Sequence, residues 1–498
     1  MKRFLFSMLG LIILLSTGSY AQAIQITNNS LIDARPMIDN GVAVWREHDG
    51  NDWEVFIYDS STGITTQLTN NSFDDGVFPG CLDQLRSCDR PHIKAGKVVW
   101  SGYDGADYEI FLYDIASGVT AQLTNNSFDE WQARVDGEMV SWYGFDGTDT
   151  EIFLYNSSTG VTTQITNNAF YDSRPRISNG RVTWIQFDGA DSEIFLYDTA
   201  TGITTQVTNN AYYDNYPVIS SYLIAWQGMV DADGEVFIYD ISTGTVTQVT
   251  NNGFIEESID ADLTANGIGW EAFDGTDSEI FHYNVATGIT TQITNNSSED
   301  YDGNVSNGQV VWIGFDGTDT EIYMYDVNKG MLVQITNNTL FDDGSGPRID
   351  SGQVVWAGGC STECASSPTE TEIFMYSIVP MPNIKANGSN GPVVVIKGTT
   401  VTVTISLDPA TYAGAPADHW VVAATPNGVY WYNSTGKWVK SDTPVRGYGG
   451  PLTNLNNYMV FNASILPVGP TFFYFAVDNN ANNVFDATWW DYVVVKVE

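Results

Sequence analysis

Positive charge is scarce in this sequence. Its 498 residues hold 20 lysines and arginines against 60 aspartates and glutamates, a formal net charge of −40. Such a chain repels phosphate backbones and anionic lipid, so nucleic acid is excluded as a partner, and cations or basic groups are favoured. Histidine is scarcer still. His48, His92, His282 and His419 form no metal-ligand spacing, and the sequence has no His-Glu-x-x-His, no Gly-x-Ser-x-Gly and no phosphate loop. No catalytic residue is therefore named. Helical periodicity is lacking after the first two dozen residues, which excludes a helical solenoid. No later stretch is apolar and long enough to span a bilayer. Cysteine is limited to Cys81, Cys88, Cys360 and Cys364.

The one long apolar run stands at the start. Lys2 and Arg3 precede Phe4–Leu15, and Ala21-Gln22-Ala23 offers small residues for cleavage. Residues 1–21 read as a signal peptide, which predicts a secreted, periplasmic or cell-surface protein without a transmembrane segment. In that setting Cys81/Cys88 and Cys360/Cys364 are expected to form two short-range disulfides, each stapling an insertion.

What the chain has in quantity is a repeat. Gln-x-Thr-Asn-Asn segments place their threonine at 27, 69, 124, 166, 208, 250, 294 and 336, most of them 42 residues apart. A tryptophan recurs at 45, 100, 142, 184, 226, 270, 312 and 356, each upstream of a run such as Glu151-Ile152-Phe153-Leu154-Tyr155. Asp-Gly and Ser-Thr-Gly turns separate the β runs. Four short strand signals in about 42 residues are the mark of a propeller blade. The first unit reads as Pro36–Ile38, Val42–Trp45, Glu54–Tyr58 and Thr65–Thr69, with an alternating outer strand. The last unit lacks its closing strand, and Ile24–Thr27 is a lone strand of that type. The expected fold is all-β: an eight-bladed propeller of four-stranded blades over 24–378, closed by the N-terminal strand. Residues 379–392 read as a linker. Residues 393–498 show six or seven β runs and predict a β-sandwich of immunoglobulin-like class. Of the acids, 53 lie in 24–378, with only 12 bases, so the repeat region carries the charge.

The repeats resemble the WD-like propeller repeats of TolB-type proteins. The likeness rests on the Thr-Asn close, proline before the first strand, the Asn-Gly or Asp-Gly turn after it, and Asp-Gly-x-Asp-x-Glu-Ile-Phe-x-Tyr-Asp. It covers residues 24–378 and implies a fold rather than an activity. TolB-type propellers mostly bind proteins, and relatives with such blades include peptidase-associated domains and sugar-acid lyases.

Four groups of residues are candidates for chemistry. Arg35, Arg90, Arg134 and Arg174 precede or open the first strand of units one to four, with Tyr216 near that place in unit five. Facing a channel mouth, they would hold a carboxylate; the competing reading pairs them with Asp33, Asp89 or Asp172. The Asp-Gly-x-Asp-x-Glu loops, such as Asp146/Asp149/Glu151, read as turn chemistry, with calcium as the alternative. Asp478, Asn480, Asn482 and Asp486 copy the start of a calcium loop but lack the final glutamate. Trp420, Tyr430, Trp431, Tyr432, Trp438, Trp489 and Trp490 form either a sugar platform or a core. The reading that follows is a monomeric, exported binding protein whose channel mouth engages a protein or an acidic glycan at the cell envelope. The alternatives are a uronide lyase, with Arg174 and His92 at work, and a calcium-binding surface protein.

Overall fold

The computed structural model describes residues 23–60, 62–76, 90–230, 233–253, 256–261, 267–328, 330–342, 344–360, 371–377, 380–389, 392–409, 414–453, 455–478, 483–485 and 489–498. The expected signal peptide, Cys81, Cys88, Cys364, Asn480, Asn482 and Asp486 lie outside them. The described residues form strands and turns, with no helix. They fall into two compact units, Ala23–Tyr376 and Ser377–Glu498.

The first unit holds eight four-stranded antiparallel sheets. In one of them Ile32–Asp39, Val42–His48, Trp53–Asp59 and Ile64–Gln67 lie side by side in chain order. Six more sheets repeat that order. The last combines Ser345–Asp350, Gln353–Gly358 and Glu372–Ser377 with Ile24–Gln25 from the opposite end of the unit. Ile24 pairs with Met375 and Gln25 with Phe374. Ile38, Ala43 and Trp45 of the first sheet pack on Val355, Ala357, Ile373 and Met375 of the last, so the ring is closed.

Inner strands of neighbouring sheets touch all the way round and surround the axis. They are longer than the sequence suggests, Ile32–Asp39 against Pro36–Ile38, because a β-bulge between Ala34 and Met37 joins two paired segments into one strand. The turn to the second strand uses Asn40 and Gly41, both left-handed at φ 47° and 82°, as a tight hairpin requires. Outer strands such as Ile64–Gln67 and Val161–Gln164 are exposed along their whole length rather than alternating, because nothing covers the rim.

The repeated residues form one hydrogen-bonded latch per sheet. In the third-to-fourth-sheet step, Thr166 Oγ1 accepts the Ile152 N–H at 2.8 Å, and Glu151 Oε1 accepts the Asn168 N–H at 2.8 Å. Asn168 Nδ2 then donates to Asp172 at 2.7 Å, whose other oxygen takes Trp184 Nε1 at 2.9 Å. Trp184 is buried and stacks on Phe195, with ring centroids 5.7 Å apart. Each blade thereby ties its outer strand to the inner strand of the next. At the closure Thr27 accepts the Ile373 N–H at 2.8 Å and Glu372 the Asn29 N–H at 2.7 Å, so the same bonds join residues almost 350 positions apart. The buried latch carboxyls titrate high. Burial lifts Asp33 and Asp172 to about 8 and Asp75 and Asp214 to about 7.

The second unit is two sheets around one core. Met381–Ala386, Val401–Asp408 and Leu455–Ala463 form a three-stranded sheet, and seven strands including Pro416–Thr425, Gly469–Asp478 and Trp489–Val497 form the other. Ile384, Val403, Val421, Phe473, Val493 and Trp489 share that core. The expected linker is corrected: Met381–Ala386 pairs with Val401–Asp408, so the unit's first strand lies within 379–392. Its proline and asparagine content suggested a linker, yet Ile384 and Ala386 are fully buried. Trp420 and Trp431 are buried against Val422 and Ala476, which places them in a core.

Candidate functional site: the arginine-lined axis

In seven of the eight inner strands a bulge sets two positions. The first carries a left-handed backbone at Arg35 (φ 61°), Gln132 (φ 54°), Arg174 (φ 55°), Tyr216 (φ 53°) and Asp302 (φ 56°). Non-glycine residues at positive φ are strained, and five at equivalent places around one axis mark a built feature. The second position, two residues on, resumes the ladder: Met37 opposite Val44, His92 opposite Val99, Arg134 opposite Ser141, Arg176 opposite Thr183, Val218 opposite Ala225, Asn304 opposite Val311, Arg348 opposite Val355.

This register corrects the expected alignment of the arginines. Arg35, Arg174 and Tyr216 are equivalent, and Arg90 stands two residues before His92 as Arg35 does before Met37. Arg134 is not their equivalent; Gln132 is. Arg134 belongs with Arg176 and Arg348: each of the three stands eight residues before its sheet's tryptophan. Arg134 and Arg174 are 40 residues apart, two short of the repeat, so they fall at different positions of the bulge. The expected pairing partners are otherwise engaged: Asp33 takes Trp45 Nε1 at 2.9 Å, and Asp172 takes Trp184.

Arg134, Arg176 and Arg348 share one posture. Each donates Nη1 to the carbonyl just before it: Ala133 at 2.8 Å, Pro175 at 3.0 Å and Pro347 at 2.8 Å. Arg174 lies with its guanidinium 4.5 Å from the centre of the Tyr216 ring. Burial, then the charges of Arg348, Arg134, Arg35 and Arg176, push Arg90 well below its ordinary value. Arginines from sheets one, three, four and eight therefore act on Arg90 of sheet two. His92 is held well below its ordinary range by burial and by Arg134, Arg90 and Arg176, so its imidazole is neutral. Its Nδ1 accepts the Val135 N–H at 3.3 Å, which puts the ring proton on Nε2. The far arc is different. Sheet seven offers Asp302, whose N–H donates to Glu271 at 3.0 Å, and Asn304, which caps the Ile349 N–H at 2.8 Å. The axis is thus cationic on one side and acidic to neutral on the other.

The other candidates stand apart. Asp478 is fully buried, and its oxygens accept the Asp418 N–H at 3.0 Å and Trp420 Nε1 at 2.9 Å. The Asp-Gly-x-Asp-x-Glu loops lead into the third strands, two strands out from the arginines: Glu193 pairs with Gln186, and Gln186 with Asp172. Their first aspartate does what a turn requires: Asp146 Oδ1 accepts the Thr148 N–H at 2.9 Å.

No family model matches the sequence, and no curated protein matches it. Solved structures do. A puromycin-hydrolysing peptidase of Mycobacterium tuberculosis aligns at 13% identity and a TM-score of 0.46, over 68% of this chain and 61% of the peptidase. An oligogalacturonate lyase in complex with manganese aligns at 11% and 0.42, over 72% of this chain and 98% of the lyase. TolB from Acinetobacter baumannii aligns at 13% and 0.34, over 59% of this chain and 78% of TolB. The chain thus spans about six tenths of the peptidase. The likeness is one of fold, and the closed ring of four-stranded sheets decides what that fold is. The chain is a β-propeller protein. The propeller is all-β, as its repeat predicts, and no helix among its described residues is long and apolar enough to cross a membrane.

Proposed function

We propose that this is an exported binding protein whose propeller axis takes a carboxylate-bearing ligand, presented by a protein or an acidic glycan at the cell envelope. The observation that carries the reading is the convergence of Arg35, Arg90, Arg134, Arg176 and Arg348 in one place on a chain of net charge −40. Gathering like charges is unfavourable unless a ligand or the fold compensates it, and guanidinium forks match carboxylates in pairs. The surrounding acid speeds the arrival of no anion, so the arginines act at contact range.

The lyase reading needs a base beside a charge-neutralising cation. His92 is neutral among arginines, which suits the role. Its lone-pair nitrogen is Nδ1, however, and that atom already receives the Val135 N–H. Binding is therefore the better-supported reading.

The test is a titration of the full exported chain with polygalacturonate and with neutral dextran, for wild type and Arg134→Ala/Arg176→Ala/Arg348→Ala. These side chains donate to carbonyls on their own strands, so their loss leaves the sheets paired. The acidic polymer is expected to bind, the neutral one not, and the triple variant to lose about 100-fold or more, from roughly 1 kcal/mol per charged hydrogen bond. Binding that survives the triple change would reject the axis as the site.

A further inference from the structure

The rim loops hold buried carboxylates, of which the latch uses only one oxygen of each glutamate. In unit one the ligand-capable oxygens of Asp49, Asp52 and Glu54 lie within 4.8 Å of one another, and the same is true of Asp104/Asp107/Glu109, Asp146/Asp149/Glu151, Asp188/Asp191/Glu193 and Asp274/Asp277/Glu279. Two oxygens bound to one Ca²⁺ at 2.3–2.6 Å stand at most about 5 Å apart, so each triad fits around a single ion. Turn chemistry accounts for the first aspartate, since Asp49 Oδ1 accepts the N–H groups of Asn51 and Asp52 at 2.8 and 3.3 Å. It does not account for the second. Asp52 is 6% exposed and Asp277 4%, and neither oxygen of either has a hydrogen-bond partner. Asp149 and Asp319 repeat this. A carboxylate held out of water beside two others, with no donor of its own, is costly unless a cation or a shared proton joins them.

We propose that the Asp-Gly-x-Asp-x-Glu loops are calcium sites, one at the rim of each blade that carries the motif. The donors are all oxygen, with no imidazole or thiolate, which selects a hard cation. A further carboxylate stands by at three of them, and at the second loop Asp129 accepts the Tyr108 N–H at 3.0 Å beside Asp107. Asp74 accepts the Trp53 N–H at 3.1 Å beside Asp52, and Glu299 accepts the Ser278 N–H at 2.9 Å beside Asp277. Several anionic oxygens without a fixed octahedral arrangement suit the larger, more tolerant Ca²⁺ over Mg²⁺, which demands a near-ideal octahedron and retains its waters. Six such loops, at Asp52, Asp107, Asp149, Asp191, Asp277 and Asp319, would offset part of the propeller's negative charge. The proposal is independent of the ligand at the axis.

The experiment uses the full chain, stripped with chelator and returned to fixed ionic strength. Equilibrium dialysis against 1 mM CaCl2 is expected to give several bound ions per chain, and Asp52→Asn/Asp277→Asn about two fewer. Calcium is expected to raise the melting temperature of wild type by more than about 5 °C, and 1 mM MgCl2 by much less. No bound calcium, an equal shift with magnesium, or an unchanged count in the double variant would each overturn the proposal in favour of proton sharing. Asparagine keeps the shape and removes only the charge, and the wild-type count stands by itself should the variant fold poorly.

Discussion

Replacing Thr27 by valine tests whether the ring is held where its two ends meet. Valine has nearly the shape of threonine, so no cavity opens. The Thr27 hydroxyl accepts the Ile373 N–H at 2.8 Å and bonds to Asp33, and the residue is 8% exposed. Without the oxygen a buried N–H loses its partner, at about 1–3 kcal/mol, and the lost bond to Asp33 adds about 1 kcal/mol. The sum is roughly 2–4 kcal/mol. The N-terminal strand gives only Ile24 and Gln25 to the ladder and both are exposed, so the bonds at Thr27 and Asn29 supply much of its hold on the last sheet. Amide hydrogen exchange across Glu372–Ser377 reads the effect locally, and about 2 kcal/mol corresponds to roughly 30-fold faster exchange. Thr166→Val is the control. It removes the equivalent bond to Ile152 within one continuous run of chain, so it should speed exchange at Ile152 without releasing a terminus to protease. Exchange at Ile373 within threefold of wild type would refute the reasoning.

Two further outcomes are expected. Asp33 is lifted to about 8 by burial and by Glu47 beside it, so the folded state keeps a proton that the unfolded chain releases near pH 4. That contribution to stability is complete below the unfolded value and drains as pH rises towards 8. With chelator present, the melting temperature should therefore fall between pH 5.5 and 8.5, and less so in Asp33→Asn; a rise over that interval would contradict the assignment. In the second unit Asp418 is fully buried and accepts Arg446 Nη1 at 2.7 Å and the Asn483 N–H at 2.6 Å. Arg446→Ala should cost about 1–3 kcal/mol in chemical denaturation, with partial rescue by lysine, whereas an unchanged midpoint would show the pair to be ornamental.

Much of the propeller was legible because its signals are local. Asn40-Gly41 forms its hairpin from its own φ preferences, and the tryptophan and Thr-Asn-Asn spacing repeats because each latch needs the same reach. The pairing of Ile24–Gln25 with the last blade was also legible, since a missing strand at one end matched a spare strand at the other. The linker was not: Met381–Ala386 looks like punctuation, and only Val401–Asp408 opposite it makes it a strand.

The sequence by itself determined the strands, the turns, the repeat and the excess of acid, since these follow from side-chain preference over a few residues. Tertiary structure decided which charges meet. Ring closure brought Arg348 beside residues more than 200 positions away. Burial separated Asp49, which serves its turn, from Asp52, whose oxygens have no donor. Proximity and solvent exclusion are properties of the whole ring, and no stretch of forty-two residues contains them.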